Sequence, residues 1–104
     1  MVVSVIDGTH FEEFISPGPV AVVDFYADWC MPCRIMSPRL EELSKELNGV
    51  TFGRLDVDEN GDIAQRFGIV SIPTLIVFRD GKQVDEIIGA RSKEVVKEII
   101  EKYL

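Results

Sequence analysis

The sequence has only two cysteines and one histidine in 104 residues, so it lacks the side chains that most zinc sites and disulfide-rich folds need. A structural zinc site takes four ligands, and Cys30, Cys33 and the distant His10 supply at most three. A two-cysteine metal site shared between subunits stays open as an alternative, and no other metal or cofactor is predicted. A purely structural disulfide is disfavoured, because a ring this short restricts the unfolded chain very little. Two cysteines separated by two residues instead predict redox chemistry.

Positive charge is also scarce, because 11 lysines and arginines stand against 18 aspartates and glutamates, for a formal net charge of −7. A chain this acidic repels a phosphate backbone, so nucleic-acid binding is not expected. Neither a membrane span nor a secretory signal is expected, since no apolar run is long enough and Asp7 interrupts the apolar start. We therefore expect a cytoplasmic protein, folded as one domain over residues 1–104. We also expect a monomer.

The stretch Val20–Cys33 carries the strongest pattern in the chain. Its apolar part, Val20–Ala27, is interrupted only by Asp24, which predicts a strand covered on both faces. Beyond it, apolar residues recur at intervals of three or four and predict a helix from Cys33 to about Leu47. The two cysteines therefore lie where a buried strand ends and a helix begins.

This position predicts different chemical roles for the two cysteines. Unpaired backbone N–H groups and the positive end of the helix dipole favour a thiolate, so Cys30, the one nearer solvent, is the predicted nucleophile. Cys33, about one turn into the helix, is predicted to be shielded and to resolve a mixed disulfide. Pro32 fits the first turn, where its missing N–H costs little. Pro38 removes an internal hydrogen bond and predicts a kink.

The flanking segments predict further strands and helices. Val2–Ile6 has strand composition, and a capping box of Thr9 and Glu12 predicts a short helix that contains the solvated His10 and ends before the loop Ser16–Pro19. Val50–Asp56 predicts another strand.

The second half of the chain continues this alternation. Asn60 or Asp62 is expected to cap a short helix through Phe67, which Gly68 ends. Asp80-Gly81 predicts a hairpin between Thr74–Arg79 and Gln83–Ile88. Ser92 is expected to cap a last amphipathic helix. These elements together predict an α/β fold whose mixed sheet is covered by helices on both faces.

Asp24 is the one acid inside the apolar run, where an ionised carboxylate is costly. We expect it to be paired or partly protonated, with a raised pKa. It can take the Cys33 proton during resolution, or it can be a structural acid satisfied by hydrogen bonds. The residues alone leave both interpretations open.

The segment DFYADWCMPC (24–33), Pro38 in the following helix and Ser71-Ile72-Pro73-Thr74 resemble the thioredoxin family. The likeness runs from about Val20 to the C-terminus, and W-C-x-P-C with I-P-T at this separation is a specific pair of motifs. It implies a central sheet of five strands with four helices. It also implies a protein-disulfide oxidoreductase that reduces client proteins and is recharged by a thioredoxin reductase. Met31 stands where the family usually has glycine. This difference does not change the predicted fold or reaction, but the reduction potential does not follow from the resemblance.

The resemblance also implies roles for residues outside the cysteine pair. Asp24 is expected to exchange a proton with Cys33. Arg54 stands where lysine is more common, and it is expected to pair with Asp24 without giving up its own proton. Ile72–Pro73 is expected to be a cis bond that faces the cysteines. A shallow apolar rim is expected to bind clients; its residues are Trp29, Met31, Pro32, Val57, Val70, Ile72, Ile88, Gly89 and Ala90.

Two other functions compete with a reductase. An oxidase or isomerase of the same fold would have a higher reduction potential, and the expected absence of a secretory signal argues against it. A binding module would use the apolar rim to hold a partner, with the cysteines incidental. Catalysed reduction of a client disulfide distinguishes the binding module from both.

Overall fold

A computed structural model describes residues 3–16 and 20–104. The strands in these ranges are β1 (Ser4–Val5), β2 (Val20–Tyr26), β3 (Val50–Asp56), β4 (Thr74–Arg79) and β5 (Lys82–Ile88). The helices are α1 (Phe11–Ile15), α2 (Met31–Glu46), α3 (Gly61–Arg66) and α4 (Lys93–Glu101). The predicted α/β fold, with five strands and four helices, is confirmed. No helix in the described ranges is long and apolar enough to cross a bilayer.

The strands form one mixed sheet in the order β1-β3-β2-β4-β5. β1, β3 and β2 are parallel, whereas β4 and β5 run antiparallel to their neighbours. Tyr26, the last residue of β2, lies opposite Asp56, and Phe25 lies opposite Thr74 at the start of β4. The segment after β2, the segment after β3 and the segment before β4 therefore meet at one edge of the sheet.

Alternate residues of β2 face two separate apolar layers, as the strand period of two requires. Val20 and Val22 pack in the layer that α2 and α4 cover, with Met36, Leu40, Leu43, Val96 and Ile100. Ala21, Val23 and Phe25 pack in the layer that α1 and α3 cover, with Phe11, Ile15 and Ile63. Every residue of β2 is buried. The alternation places Asp24 on the α2 side of the sheet.

Several local predictions are confirmed residue by residue. β3 and β4 have the predicted bounds. The hairpin turn has positive φ at both central residues, 53° at Asp80 and 80° at Gly81, which is the backbone that an Asp-Gly pair favours. Ser92 caps α4 by accepting a hydrogen bond from the Val95 N–H at 3.2 Å.

The predicted capping box at the start of α1 is wrong. His10, not Thr9, occupies the N-cap, and its side chain makes no capping bond. Asp7 acts instead, because its Oδ1 accepts from the His10 backbone N–H at 3.0 Å and lies 2.9 Å from His10 Nδ1. The Asp7 carboxylate thus bonds the N–H of the N-cap residue itself, not the N–H of Glu12 that the predicted box required.

Two strand boundaries and one helix cap also differ from the predictions. β1 covers only Ser4–Val5 of the predicted Val2–Ile6, and Val2 lies outside the described residues, as do residues 17–19 of the predicted loop. β5 begins at Lys82 because the two-residue turn pairs it directly with Arg79. Asn60 is the N-cap of α3 but does not cap it through its side chain; its Oδ1 accepts from the Gly8 N–H at 2.9 Å instead.

Gly53 explains a break in the apolar pattern of β3. A Cβ at this position would lie 2.6 Å from Cζ of Phe14. The missing side chain therefore lets the Phe14 ring lie directly against the strand, beside the layer that α1 and α3 cover.

Candidate redox site

Cys30 and Cys33 lie at the junction of β2 and α2, as predicted, and they form a disulfide with their Cα atoms 5.2 Å apart. The helix begins at Met31, so the predicted start at Cys33 is two residues late. Cys30 is the N-cap with an extended backbone, and its Sγ accepts from the Cys33 N–H at 3.3 Å. Pro32 lies in the first turn. One N–H of the helix end is thus directed at the Cys30 sulfur, a position that favours the negative charge of the thiolate once the disulfide is reduced.

Both cysteines are more enclosed than the sequence indicated. Cys30 is 4% exposed and Cys33 is 1% exposed, so the predicted order holds but the difference is small. Tyr26 and Ala27 form a small apolar cluster with the two sulfurs, and Val57 and Ile72 pack against it.

Asp24 is completely buried, as its place in the apolar run predicted. Neither of its carboxylate oxygens has a hydrogen-bond partner among the described residues. Burial raises the pKa of Asp24 to about 7, and the positive charge of Arg54 opposes this rise. The described residues therefore supply none of the hydrogen bonds that the structural alternative expects for Asp24. A carboxyl group with this pKa can both accept and donate a proton near neutral pH.

Arg54 is the cation beside this acid, because Asp24 and Arg54 are register partners on the parallel strands β2 and β3. Its Nε lies 3.8 Å from Asp24 Oδ2, which is an ion pair without a hydrogen bond. The guanidinium also lies over the ring of Tyr26, 4.0 Å from the centroid. Tyr26 was not predicted from the sequence as a neighbour of this pair. Its place two residues after Asp24, on the same face of β2, was the available signal.

The predicted cis Ile72–Pro73 bond is present and faces the cysteines. The carbonyl oxygen of Ile72 lies 3.7 Å from Cys30 Sγ. On the other side, the Gly89 N–H donates to the Pro73 carbonyl at 2.8 Å. The loop before β4 and the end of β5 are thereby joined next to the disulfide.

The nine rim residues predicted from the resemblance come from four segments at the same edge of the sheet. The largest exposed side chains are Val70, at 93%, and Trp29, at 69%, and Met31 and Ile88 are also exposed. Pro32 and Ala90 are exposed too, whereas Val57, Ile72 and Gly89 are half-buried. The structure therefore brings these residues around a buried disulfide, with apolar surface left in contact with solvent.

Asp58 was missed, although it fixes the rim residue Trp29. Its Oδ2 accepts a hydrogen bond from the indole Nε1 of Trp29 at 2.8 Å. No role was predicted for this acid from the sequence. The signal was its place just after β3, at the edge where β2 also ends.

Pro38 and His10 lie away from these contacts. Pro38 is an exposed residue inside α2, and its predicted influence on the site stays a prediction. His10 is exposed beside Asp7, whose carboxylate raises the pKa of the imidazole. Within residues 3–16 and 20–104, no group of three or more histidine, cysteine or acidic side chains is placed to hold a metal ion.

The chain is similar to proteins of one family over nearly its whole length. A family model described as Thioredoxin matches residues 2–102. A thioredoxin of Chlamydia pneumoniae is 44% identical over 101 residues, which cover 97% of this chain and 98% of that protein. A thioredoxin of Staphylococcus saprophyticus is 45% identical over 105 residues and the full length of both proteins.

Solved structures give the same match in three dimensions. A mutant thioredoxin from Halobacterium salinarum has a TM-score of 0.94 and 36% identity, covering 98% of this chain and 90% of that one. A thioredoxin of Plasmodium falciparum has a TM-score of 0.91 and 36% identity, covering 98% of this chain and all of that one.

Proposed function

This chain belongs to the thioredoxin family and is a protein-disulfide oxidoreductase, and we propose that it reduces client disulfides in two steps through Cys30 and Cys33. The Cys30 thiolate attacks one sulfur of the client disulfide, forms a mixed disulfide and releases the first client thiolate. Cys33 then attacks the Cys30 sulfur and releases the second client thiolate. The products are the reduced client and the Cys30–Cys33 disulfide. The hydrogen bond from the Cys33 N–H to Cys30 Sγ, at 3.3 Å, is the observation that carries this assignment of roles.

Asp24 is the proposed proton acceptor of the second step. Cys33 must lose its proton before it attacks, and its burial leaves little water to receive that proton. The carboxylate accepts it and later returns it to the departing client thiolate, so that protons balance over the cycle. Its lack of hydrogen-bond partners and its pKa of about 7 support this role.

The apolar rim is the proposed docking surface for an extended client segment. Trp29, Met31 and Val70 offer exposed apolar area around a disulfide that is itself nearly covered. Backbone groups of Ile72, beside Cys30, are proposed to pair with the client main chain. Met31 is proposed to add apolar contact that a glycine could not supply.

A complete catalytic cycle also needs an electron donor. We assign that role to a thioredoxin reductase, which returns two electrons and two protons to the Cys30–Cys33 disulfide. The protein is proposed to act as a monomeric single domain, because its rim is then free for clients. A reducing compartment such as the cytoplasm suits a pair that must be kept as a dithiol.

Reduction of insulin by dithiothreitol, with the protein in catalytic amounts, tests this function. We expect turnover with the natural sequence and none with Cys30→Ser. Cys33→Ser should instead accumulate a covalent adduct between Cys30 and the client, because attack is intact and resolution is lost. Equal trapping by Cys30→Ser and Cys33→Ser would overturn the assignment of roles.

The same measurements separate the two competing functions. A binding module would hold a client without any thiol-dependent turnover. An oxidase or isomerase would turn over but have a higher reduction potential, which equilibration with glutathione measures.

A further inference from the structure

Two backbone contacts, one from Gly89 and one from Arg91, hold the segment after β5 beside the redox site. Gly89, two residues before Arg91, donates its N–H to Pro73 at 2.8 Å, next to the cis bond that faces the cysteines. The backbone nitrogen of Arg91 itself lies 3.4 Å from Sδ of Met36. Met36 belongs to α2 and follows Cys33 by three residues. The backbone of Arg91 is thereby fixed close to the disulfide, just past the end of β5.

One side-chain contact joins Arg39 of α2 to Arg91, and a second joins Arg91 to Ile88. Arg39 Nη1 donates to the Arg91 carbonyl at 2.6 Å, and Arg91 Nε donates to the carbonyl of the rim residue Ile88 at 3.1 Å. Both guanidinium groups are thus oriented by backbone carbonyls. Because Arg91 uses only Nε in this contact, its two terminal nitrogens remain available as a fork, the arrangement that binds a carboxylate with two hydrogen bonds.

Neither of these arginines forms an ion pair in the described part of the chain, although the protein has 18 acidic residues. Other cations do, since Arg66 pairs with Glu12 at 2.6 Å and Lys93 pairs with Glu46 at 2.7 Å. Arg91 and Arg39 therefore place two positive charges, without carboxylate partners among the described residues, beside the rim of a chain whose net charge is −7.

The charge of the rim consequently differs between its two sides. Asp58 follows β3 and holds Trp29, whereas Arg91 follows β5. β3 and β5 lie on opposite sides of the central pair β2 and β4 in the sheet. A client segment that crosses the disulfide meets an acidic group at one side and a basic group at the other.

We propose that Arg91, supported by Arg39, selects clients that carry a carboxylate side chain on the β5 side of the disulfide being reduced. The inference rests on the proposed reductase function and adds a class of substrate to it, an acidic disulfide-bearing polypeptide segment. The terminal nitrogens of Arg91 bind the client carboxylate while the Ile88 carbonyl keeps the side chain in place. The sulfur chemistry itself is unchanged.

Three peptides that share one disulfide and differ only in the residues flanking it test the proposal. The flanking residues are glutamate, serine or lysine, and the second-order rate of reduction by the pre-reduced protein is measured at low salt. We expect the glutamate peptide to react about 3–5 times faster than the serine peptide, the size of one partly exposed ion pair. The lysine peptide should be the slowest, and added salt should reduce the differences.

Variants separate the charge of Arg91 from its structural contacts. Arg91→Glu should reverse the order of the glutamate and lysine peptides, and Arg91→Lys should keep the order with a smaller ratio. Lys82→Glu makes the same charge change at the hairpin end of β5, far from the site, and should keep the natural ratio.

The remaining outcomes distinguish failure of the Arg91 proposal from failure of the reductase function. Equal rates for the three peptides with the natural protein, or an unchanged order in Arg91→Glu, would overturn the proposal and leave the reductase function intact. Failure of the natural protein to reduce any of the peptides would instead overturn the proposed function on which this inference rests.

Discussion

Two groups of charged residues in this protein differ in burial and in how closely their charges are paired. Asp24 and Arg54 lie opposite each other on β2 and β3, where the acid is completely buried and the closest contact of the pair is 3.8 Å, without a hydrogen bond. Glu46 joins α2 to α4 at the surface, where Lys93 Nζ lies 2.7 Å and Lys97 Nζ 3.2 Å from its oxygens.

The difference appears in the proton affinity of the two acids. Burial raises the pKa of Asp24 to about 7. Hydrogen bonds from Lys93 and then Lys97 lower the pKa of Glu46. Surface contacts therefore keep the Glu46 carboxylate in its charged form. Burial instead gives Asp24 a pKa at which it gains or loses a proton near neutral pH. Only the second property is useful to a reaction that moves protons between thiols.

The largest expected effect is the removal of the buried charge by Asp24→Asn. The native pKa of Asp24 lies above the unfolded value of 3.8, so the native state holds a proton that the unfolded state has lost. The destabilisation by this acid is absent below the unfolded pKa, grows between that value and about 7, and is complete above it. The gain in free energy of unfolding from Asp24→Asn should thus increase from acid to alkaline pH, by up to about 4 kcal/mol.

Denaturant unfolding of the oxidised proteins at pH 5 and pH 8 measures this gain without interference from free thiols. A difference between Asp24→Asn and the natural protein that is the same at both pH values would contradict a buried carboxylate with a raised pKa. The pH dependence is the sharper test, because the buried amide of the variant has its own constant cost.

A smaller effect is expected when the partner is removed by Arg54→Gln. The positive charge of Arg54 lowers the pKa of Asp24, so its loss should raise that pKa above about 7. Above that pH the unpaired carboxylate should cost about 1–3 kcal/mol of stability, reduced by the partial exposure of the arginine. Titration of the Asp24 carboxyl carbon by NMR checks the direction.

Arg54→Lys is the matched control, since it keeps the positive charge and loses the planar group that stacks on Tyr26. The pKa of Asp24 should move less in Arg54→Lys than in Arg54→Gln. Equal pKa values in the two variants would show that charge is not how Arg54 acts on the acid.

The smallest effect is expected at the surface, from Glu46→Gln. This change removes contacts to Lys93 and Lys97, but exposed ion pairs contribute little and salt screens them. The melting temperature should fall slightly at low salt, and the loss should shrink at high salt and at a pH low enough to protonate Glu46. Glu98→Gln, at an exposed acid of α4 with no ion pair among the described residues, is the control.

The sequence predicted most accurately the features that local chemistry decides. The Asp80-Gly81 turn needs two positive φ angles, and few other residue pairs adopt them readily. Asp24 was found because an acid among valines is unusual whatever the fold. The W-C-x-P-C pattern, with its neighbouring strand and helix, was sufficient to locate the reactive pair.

Features that depend on which segments meet in space were not predicted from local pattern. Arg54 was placed beside Asp24 only through the family resemblance, because the register of two parallel strands decides that contact. The bond from Trp29 to Asp58 joins two segments that follow different strands. The cap on α1 was assigned to Thr9, although Asp7 is the side chain that accepts a backbone hydrogen bond at this helix end, from the His10 N–H. In each case several side chains were chemically suitable, and the tertiary fold decided among them.

The proposed transfer of the Cys33 proton to Asp24 is tested most directly by the rate of the resolving step. Reduced protein is mixed with saturating disulfide peptide in a single turnover, so that attack by Cys33 limits the rate, and the reaction is followed from pH 6 to pH 8. The natural protein should accelerate with an inflection near the Asp24 pKa of about 7, as the carboxylate becomes able to accept a proton. Asp24→Asn should be slower by at least about 10-fold at pH 8 and lack that inflection. Rate profiles that coincide for the two proteins would contradict the claim.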